Sequence, residues 1–179
     1  MNKLGFFTPL MHRPEYELIE RYLTKDDTLL EWGSGNSTMY FSGIVKKVIS
    51  IEHDKEWINN IQTAIDLYDI KNIILYHVPA NSQHPDPCRY EQFKDYVEYP
   101  VNQKFKFTRV LIDGRARKYC AKSIYNTVNK NTVIFIHDFN RPDYQKTLKY
   151  FDVIEQITTG QGIVALKKKT NVIQDESYY

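Results

Sequence analysis

Residues 29–38 read LLEWGSGNST, and this stretch places an acidic residue and two glycines directly after an apolar pair. The apolar residues predict a β-strand over residues 28–32. The glycines predict a turn whose backbone can approach a ligand closely, because no Cβ intervenes. Ser37 and Thr38 can cap the helix that follows, and the N-terminus of a helix offers free N–H groups. The stretch therefore predicts a ligand-binding turn or, as the simpler alternative, a tight strand-to-helix connection.

Outside this stretch, short apolar runs alternate with longer amphipathic ones, a pattern typical of an α/β sheet. The last two β-like runs are separated by residues 159–161, which predict a hairpin turn. We therefore expect a doubly wound sheet of seven strands, mostly parallel and ending in an antiparallel hairpin, in one domain over residues 1–168. Beyond the first, the strands are predicted at residues 48–52, 73–78, 109–112, 132–136, 151–158 and 162–168.

Residues 81–100 interrupt this alternation with prolines, acidic residues and aromatic rings. An irregular insertion of this length in a compact domain is often functional, and aromatic faces with interleaved polar groups suit stacking on sugars. We therefore expect residues 81–100 to form a lid over a substrate cavity, with Tyr96 among the residues that bind substrate. The alternative is an aromatic flap that covers the sheet edge or forms a homodimer contact. Residues 169–179 are expected to form a flexible C-terminal tail.

The composition restricts the compartment and the partners. The chain of 179 residues carries 24 basic and 22 acidic side chains, so it lacks the strong positive field that recruits nucleic acid. No apolar run approaches the ~20 residues of a membrane span, and the N-terminal residues predict no signal peptide. Cys88 and Cys120 are too far apart in sequence for a metal-binding motif. We therefore expect a cytoplasmic protein with reduced thiols, in which Cys120 packs in the core.

A second acidic residue, Glu52, ends the strand that follows the glycine turn. In nucleotide-binding sheets, an acidic residue about 20 positions after the glycines accepts hydrogen bonds from the ribose hydroxyls. Glu31, just before the glycines, places another carboxylate where it could meet a cationic ligand group. Together these residues predict a nucleotide-type cofactor site at the carboxyl ends of the first two strands.

The stretches EWGSGNST, at residues 31–38, and SIEHDKEW, at residues 50–57, resemble the cofactor site of class I S-adenosylmethionine-dependent methyltransferases. They are also similar to the glucuronoxylan methyltransferase family of plants, in which E-x-G-S-G-x-S-T and S-x-E-H-D-x-x-W occur. The resemblance spans residues 28–168 and implies a Rossmann-like sheet, S-adenosylmethionine as cofactor, and a small-molecule or glycan substrate. The residues expected at the cofactor are Glu31, Gly33, Gly35, Ser37, Thr38, Glu52, His53 and Asn81.

Polar residues also end the fourth and fifth predicted strands, at Asp113 and at His137. These strands are adjacent in the fold that the resemblance implies, so the two clusters should face one substrate cavity. Since an imidazole titrates near neutral pH, His137 is the predicted general base for a hydroxyl acceptor, with Asp113 or Asp138 orienting it. Arg115 and Arg117 can bind a substrate carboxylate or phosphate through their forked donors.

Two alternatives apply to these strand ends. Some small-molecule O-methyltransferases hold Mg²⁺ there, and Asp113, Asp138 and His137 match those places, although histidine suits Mg²⁺ poorly. Asp113 can instead open a turn with Gly114 while Asp138 caps a helix. The chain lacks the N/D-P-P-Y motif of methyltransferases that act on the amino groups of nucleic-acid bases. Residues 112–115, IDGR, stand in its place, which favours an oxygen acceptor.

The predicted function is S-adenosylmethionine-dependent O-methylation of a sugar or glycan-precursor hydroxyl. An NAD-dependent oxidoreductase on a Rossmann fold is the second hypothesis, because Glu52 would serve equally well there. Thr38, in place of the third glycine of G-x-G-x-x-G, argues against it. The third hypothesis is a methyltransferase-like domain that has lost activity and serves as a binding module. The presence of Glu31, Gly33, Gly35 and Glu52 argues against that hypothesis, because an inactive site does not need them.

Overall fold

The computed structural model describes residues 7–83 and 89–170 of the chain. The strands in these ranges are β1 (Thr28–Trp32), β2 (Lys47–Glu52), β3 (Ile73–His77), β4 (Arg109–Ile112), β5 (Val133–His137), β6 (Phe151–Ile157) and β7 (Ile163–Lys168). They form one sheet in the order β3-β2-β1-β4-β5-β7-β6. The first five strands are parallel where they pair, whereas β7 runs antiparallel to both β5 and β6. The predicted seven-stranded α/β sheet with a final antiparallel hairpin is confirmed.

Helices connect the parallel strands, and their ends follow local sequence signals. Pro14 stands in the first turn of the first helix, where its missing N–H removes no hydrogen bond. Asp54 caps the third helix by accepting a hydrogen bond from the Trp57 backbone N–H at 2.9 Å. The α-helices are α1 (Arg13–Tyr22), α2 (Asn36–Ser42), α3 (Lys55–Leu67), α4 (Lys94–Asn102) and α5 (Arg117–Ser123), and two 3₁₀ helices cover Glu91–Phe93 and Tyr144–Lys149.

The sheet is buried on both faces, which explains why its central strands read as apolar runs. On β1, Leu30 and Trp32 belong to the core on one face, and Leu29 belongs to the core on the other face. The strand order reverses between β1 and β4, which lie side by side at the centre of the sheet. Open α/β sheets bind ligands beyond the carboxyl ends of the strands at this point of reversal.

The described part of the insertion at residues 81–100 differs from the expected lid. Its second half folds as a 3₁₀ helix and α4, and the side chains of Phe93, Tyr96 and Val97 are buried in the core. These residues lie four or fewer positions apart, so they form one apolar helix face against the sheet. Residues 84–88 lie outside the described ranges. The second half of the insertion is therefore part of the hydrophobic core.

Three further expectations can be placed on the structure. Cys120 is fully buried, as predicted, and Cys88 lies outside the described residues. Of the predicted tail, residues 171–179 also lie outside them, whereas the Lys169 backbone N–H donates to the Tyr150 carbonyl at 3.1 Å. No helix in the described ranges is long and apolar enough to cross a lipid bilayer.

Candidate functional site

A cavity of about 320 Å³ lies beyond the carboxyl ends of β1, β2 and β4. Its position is the crevice that the sheet topology predicts for a ligand. Most of the predicted site residues line this one cavity, and the others lie outside its lining. The predicted residues that line it are Gly33, Gly35, Ser37, Glu52, His53, Asp113, Arg115 and Arg117.

The two glycines of the turn have different roles. Gly33 has a φ of +92°, and a Cβ at this residue would lie 2.6 Å from the Gly114 Cα. The turns after β1 and β4 therefore pack backbone against backbone, which only glycine permits at Gly33. Gly35 is extended, and the atom nearest to a Cβ placed on it would be Trp57 Nε1, at 4.0 Å. Gly35 lines the cavity, and no side chain in the described ranges fills the space next to it.

Glu31 lies beneath the turn instead of in the cavity. Its side chain is fully buried, and its two carboxyl oxygens accept hydrogen bonds from Ser37 at 2.6 Å, Thr38 at 2.5 Å and Ser50 at 2.7 Å. Burial raises the pKa of Glu31 to about 7, and the three hydroxyls oppose that rise. The expected direct contact with a cationic ligand group is therefore replaced by a supporting role, in which Glu31 fixes the first turn of α2.

Thr38 shares this supporting role. Its side chain is fully buried, and its hydroxyl accepts a hydrogen bond from the Gly35 N–H at 2.9 Å while donating to Glu31. Ser37 donates to the same carboxyl group but also lines the cavity. Of this predicted pair, only Ser37 is placed where it can face a ligand.

Glu52 is the best-defined acceptor group in the cavity. Its Oε2 accepts from the Ser34 N–H at 3.0 Å, and its Oε1 accepts from the N–H groups of His53 and Asp54 at 2.7 and 2.9 Å. Since each carboxylate oxygen has two lone pairs, Oε2 retains one acceptor position after these bonds. The side chain is buried and lines the cavity, so this position can meet a ligand hydroxyl. His53 lies beside it, with Nδ1 2.6 Å from Oε1.

Trp57 and Leu10 also line the cavity, and the sequence did not single them out as ligand contacts. The Trp57 indole N–H donates to the Ser34 carbonyl at 2.5 Å, and 41% of the residue is exposed. Trp57 lies in the first turn of α3, just after the end of β2, and this position could have indicated that it contacts a ligand. Leu10 belongs to the segment before α1, and no pattern in the sequence indicates that it lines a cavity.

Two of the predicted residues stand behind the cavity wall. Asn81 connects to α4, because its Oδ1 accepts from the Asp95 N–H at 3.0 Å, and it does not line the cavity. Tyr96 is fully buried, and a Cβ on Gly114 would lie 2.0 Å from its hydroxyl oxygen. Burial raises the pKa of Tyr96 well above its usual value. Asn81 is therefore tied to α4, and Tyr96 packs against the turn after β4.

His137 lies between two carboxylates at the end of β5. Its Nδ1 is 2.8 Å from Asp113 Oδ1, and its Nε2 is 3.2 Å from Oε2 of Glu15, a residue of α1. Both ring nitrogens are engaged, so His137 has no free nitrogen for the proton of an acceptor hydroxyl. Burial alone would lower the pKa of His137, but the hydrogen bond and charge of Asp113 raise it above its usual value. The predicted role as general base does not fit this geometry.

Arg117 is buried and joins the turns after β4 and β5. Its Nε donates to the Gly114 carbonyl at 2.9 Å, and its Nη1 donates to the His137 carbonyl at 2.6 Å. It also forms ion pairs with Asp113 at 3.1 Å and with Asp138 at 3.0 Å. These contacts use the guanidinium that was expected to bind substrate. They also explain how Asp138 is held with a φ of 59°.

Arg115 differs from Arg117 because it is exposed at the cavity wall. Within residues 7–83 and 89–170, its guanidinium forms no ion pair, whereas the neighbouring Arg117 and Lys118 do. It therefore remains the candidate for an anionic substrate group. In the same described ranges, no group of three or more His, Cys, Asp or Glu side chains could hold a metal ion. Arg117 already supplies the positive charge between Asp113 and Asp138, where Mg²⁺ was the alternative.

A second cavity, of about 360 Å³, adjoins the first. Leu10 lines both cavities and is 77% exposed. The segment that carries Leu10 is attached on each side, since the Thr8 carbonyl accepts from Asn36 Nδ2 at 3.1 Å and the His12 N–H donates to Glu15 at 2.8 Å. The residues around the second cavity are Pro9, Leu10, Met11, His12, Glu15, His137 and Gln161.

No protein-family model matches this chain, and no curated protein matches it significantly. Solved structures do match it. A methyltransferase-like protein from Silicibacter pomeroyi DSS-3 has a TM-score of 0.71 and 20% identity, with 95% of this chain and 92% of that chain covered. A Streptococcus mutans protein, described provisionally as a methyltransferase and solved in complex with S-adenosylhomocysteine, has a TM-score of 0.59 and 15% identity, with 89% and 100% covered.

A third structure, ribosomal protein L11 methylase from Lactobacillus delbrueckii subsp. bulgaricus, has a TM-score of 0.61 and 16% identity, with 87% of this chain and 76% of that chain covered. At these identities the likeness concerns the fold. The chain therefore has the fold of class I S-adenosylmethionine-dependent methyltransferases, with the strand order described above.

Proposed function

We propose that the chain binds S-adenosylmethionine in the glycine-lined cavity and transfers its methyl group to an oxygen acceptor. The observation that carries this proposal is Glu52, whose carboxylate lines the cavity, is fixed by three backbone N–H groups and retains one acceptor position. A carboxylate held in this way recognises the ribose hydroxyls of a nucleoside cofactor. The solved structure that holds S-adenosylhomocysteine shares this fold and supports the choice of cofactor.

The residues around Glu52 fit the rest of such a cofactor. Gly35 leaves its side of the cavity open, and the Trp57 indole provides a flat wall of partly exposed apolar surface. When bound, S-adenosylmethionine supplies a sulfonium-activated methyl group. The protein therefore has to align the acceptor and assist the removal of its proton.

Asp113 is the residue placed to assist that removal. Its Oδ1 is held by His137 and Arg117, whereas Oδ2 accepts no hydrogen bond from the part of the chain that the structure describes. Since Asp113 also lines the cavity, Oδ2 can accept a hydrogen bond from an acceptor hydroxyl. With S-adenosylmethionine bound, the acceptor oxygen would take the methyl group as the bond to the sulfonium sulfur breaks and leaves S-adenosylhomocysteine, and Asp113 would accept the proton of the acceptor hydroxyl. This arrangement exchanges the roles expected from the sequence, because His137 orients Asp113.

Arg115 supports an acidic sugar or an acidic glycan precursor as the acceptor. Its guanidinium is exposed beside Asp113 and Gly114 at the cavity. A guanidinium binds a carboxylate through two parallel hydrogen bonds, which would orient a neighbouring hydroxyl of the same sugar. The proposed acceptor is therefore the hydroxyl of a sugar that also carries a carboxylate, such as a uronic acid.

Thermal unfolding with three ligands tests the cofactor. A ligand at about 100 times its dissociation constant stabilises a protein by roughly 2.7 kcal/mol, which appears as a higher melting temperature. We expect S-adenosylmethionine and S-adenosylhomocysteine to raise the melting temperature and NAD to leave it unchanged. A shift with NAD alone would favour the oxidoreductase, and no shift with any of the three would favour a binding module.

The acceptor is tested by methyl transfer to uronic acids and to the matching neutral sugars. We expect transfer to the acidic sugars, with an Arg115→Ala variant that loses the preference for acidic over neutral acceptors. Equal transfer to both sugar types by the unmodified protein would contradict the proposed role of Arg115. Transfer to an amine but to no hydroxyl would contradict the oxygen acceptor.

A further inference from the structure

Glu15 is a buried carboxylate that joins three parts of the fold near the site. Glu15 belongs to α1, and its side chain is fully buried. Its Oε1 accepts a hydrogen bond from the Gly162 N–H at 2.7 Å. Its Oε2 accepts from the His12 N–H at 2.8 Å and lies 3.2 Å from His137 Nε2. A charge buried this deeply is costly unless donors surround it. Glu15 therefore connects the start of α1, the hairpin before β7 and the end of β5.

With Asp113 and Glu15 ionised, the geometry around His137 favours a proton on each ring nitrogen. Nδ1 faces Asp113 at 2.8 Å and Nε2 faces Glu15 at 3.2 Å, and a carboxylate accepts hydrogen bonds without donating any when it is ionised. Only the imidazolium form can donate in both directions. In the neutral form, one nitrogen would present a lone pair to a carboxylate, and one of the two contacts would become repulsive.

The other charged groups around His137 act in opposite directions, because the charge of Asp138 raises the pKa of His137 and the charge of Arg117 lowers it. Asp138 follows it in sequence, with Oδ1 3.9 Å from His137 Nδ1, and Arg117 of α5 holds both Asp113 and Asp138. From the side of α1, His12 lines the second cavity together with His137. Arg141 also pairs with Asp138, at 3.0 Å. Three carboxylates and two guanidinium groups therefore belong to the cluster around the imidazole, and their net negative charge is compatible with a positive ring.

We propose that Glu15 is a positioning residue of the active site, which acts through the His137 imidazolium to fix the carboxylate of Asp113. The chain of contacts runs from Glu15 to His137 to Asp113, whose Oδ2 is thereby directed to the acceptor. The same contacts hold the segment of residues 9–12, which carries Leu10 to both cavities. Loss of the His137 proton weakens this connection, so the alignment of Asp113 fails at high pH. This role rests on the proposed methyl transfer for its catalytic part only.

A Glu15→Gln variant of the full chain tests the connection by NMR titration of the histidine rings. The His137 signal is identified by its loss in a His137→Gln variant. Removing one of the three neighbouring carboxylates should lower the pKa of His137 by about 1 unit or more. A Glu17→Gln variant is the matched control, because Glu17 lies on the same helix and pairs with Arg13 at the surface. An equal His137 titration in the Glu15→Gln variant and in the unmodified protein would overturn the proposal.

Amide hydrogen exchange in the unmodified chain provides a second test that needs no variant. The N–H groups of His12 and Gly162 both donate to Glu15, so their protection should fall as the pH rises through the His137 titration. The Gly33 N–H, which donates to the Ile51 carbonyl at 2.9 Å, serves as the internal reference. Constant protection of His12 and Gly162 relative to Gly33 would overturn the proposal even if Glu15→Gln does not fold.

The catalytic part is tested by the pH profile of methyl transfer. We expect Glu15→Gln to lower kcat for the acceptor more than it raises KM, and to move the alkaline limb of the profile to lower pH together with the His137 titration. An unchanged pH profile would remove the positioning role. Failure of the proposed function would appear differently, as an unmodified protein that binds no S-adenosylmethionine while its His137 titration still depends on Glu15.

Discussion

Gly33 and Gly114 face each other so closely that a Cβ on Gly33 would lie 2.6 Å from the Gly114 backbone nitrogen. The contact joins the two central strands at the point where the sheet order reverses. The first glycine of the turn is therefore a requirement of the fold, whether or not a ligand is bound. The second glycine has no such neighbour.

This difference predicts opposite results for two alanine substitutions. Gly33→Ala should destabilise the protein by at least about 2 kcal/mol, because alanine is strained at positive φ and its Cβ meets backbone atoms that cannot move away. Gly35→Ala should leave the melting temperature nearly unchanged and weaken S-adenosylmethionine binding. Thermal unfolding and binding calorimetry measure the two effects. A Gly35→Ala protein with unchanged affinity would show that the cofactor does not approach this turn.

Glu52→Gln should weaken cofactor binding by about tenfold or more, since hydrogen bonds to a charged group contribute roughly 1.5–3 kcal/mol. Both carboxylate oxygens accept backbone N–H groups, and an amide –NH₂ in place of one oxygen would face a donor. Some loss of stability is therefore expected as well. Glu56→Gln, on the exposed side of α3, is the control. Equal affinity in the two variants would contradict the assignment of Glu52 to the ribose.

Trp57 should report cofactor binding by its fluorescence. It lines the cavity and is partly exposed, whereas the other tryptophan, Trp32, is fully buried. We expect S-adenosylhomocysteine to change the emission of the unmodified protein and to leave the emission of Trp57→Phe, which reports Trp32, unchanged. A persistent change in that variant would place the ligand, or its effect, away from Trp57.

The free energy of unfolding should decrease as the pH rises from about 5 to 8. The pKa of Glu31 is raised from 4.5 to about 7 in the folded protein, so the folded state binds more protons than the unfolded state in this window. The raised pKa of His137 acts in the same direction, because its stabilising effect is complete below the unfolded value and is lost as the pH passes the folded value. Glu31 alone contributes roughly 3 kcal/mol to this decrease.

A Glu31→Gln variant isolates the carboxyl contribution. Its side-chain oxygen can still accept from the hydroxyls of Thr38 and Ser50, which share Oε2 of Glu31, and its amide can donate to the Ser37 hydroxyl in place of Oε1. We expect chemical denaturation of this variant at several pH values to show a much flatter dependence than the unmodified protein. The same slope in both proteins would mean that Glu31 titrates normally in the folded state.

The sequence predicted the sheet correctly because the strands are buried on both faces and end at polar, glycine-containing turns. It was less reliable for the direction of single side chains at those ends. Glu31 and Glu52 both stand at strand ends, yet Glu31 is covered by the first turn of α2 and Glu52 lines the cavity. Strand alternation does not decide between these outcomes, since the packing of the following helix determines them.

Two further patterns in the sequence agree with the structure. Phe93, Tyr96, Val97 and Pro100 have the spacing of one helix face, which predicts the buried α4 rather than a lid. Glu15 shares a face with Leu18, Ile19 and Tyr22 of α1, and a carboxylate at such a position predicts a buried partner. The identity of that partner, His137, could not be predicted, because 122 residues separate the two in sequence.

The bridge that Arg117 forms between Asp113, Asp138 and the His137 carbonyl has a consequence for how the protein tolerates change. Replacing Arg117 leaves two largely buried carboxylates with only His137 and Arg141 as counter-charges in the described part of the chain, whereas changing Arg117 together with one carboxylate removes a positive and a negative charge at once. Single substitutions in this cluster should therefore look far more damaging than their combinations. In related proteins that methylate other acceptors, we expect different residues at the position of Arg115 and at residues 9–12. We expect the members of the Arg117 cluster to be either all kept or all replaced.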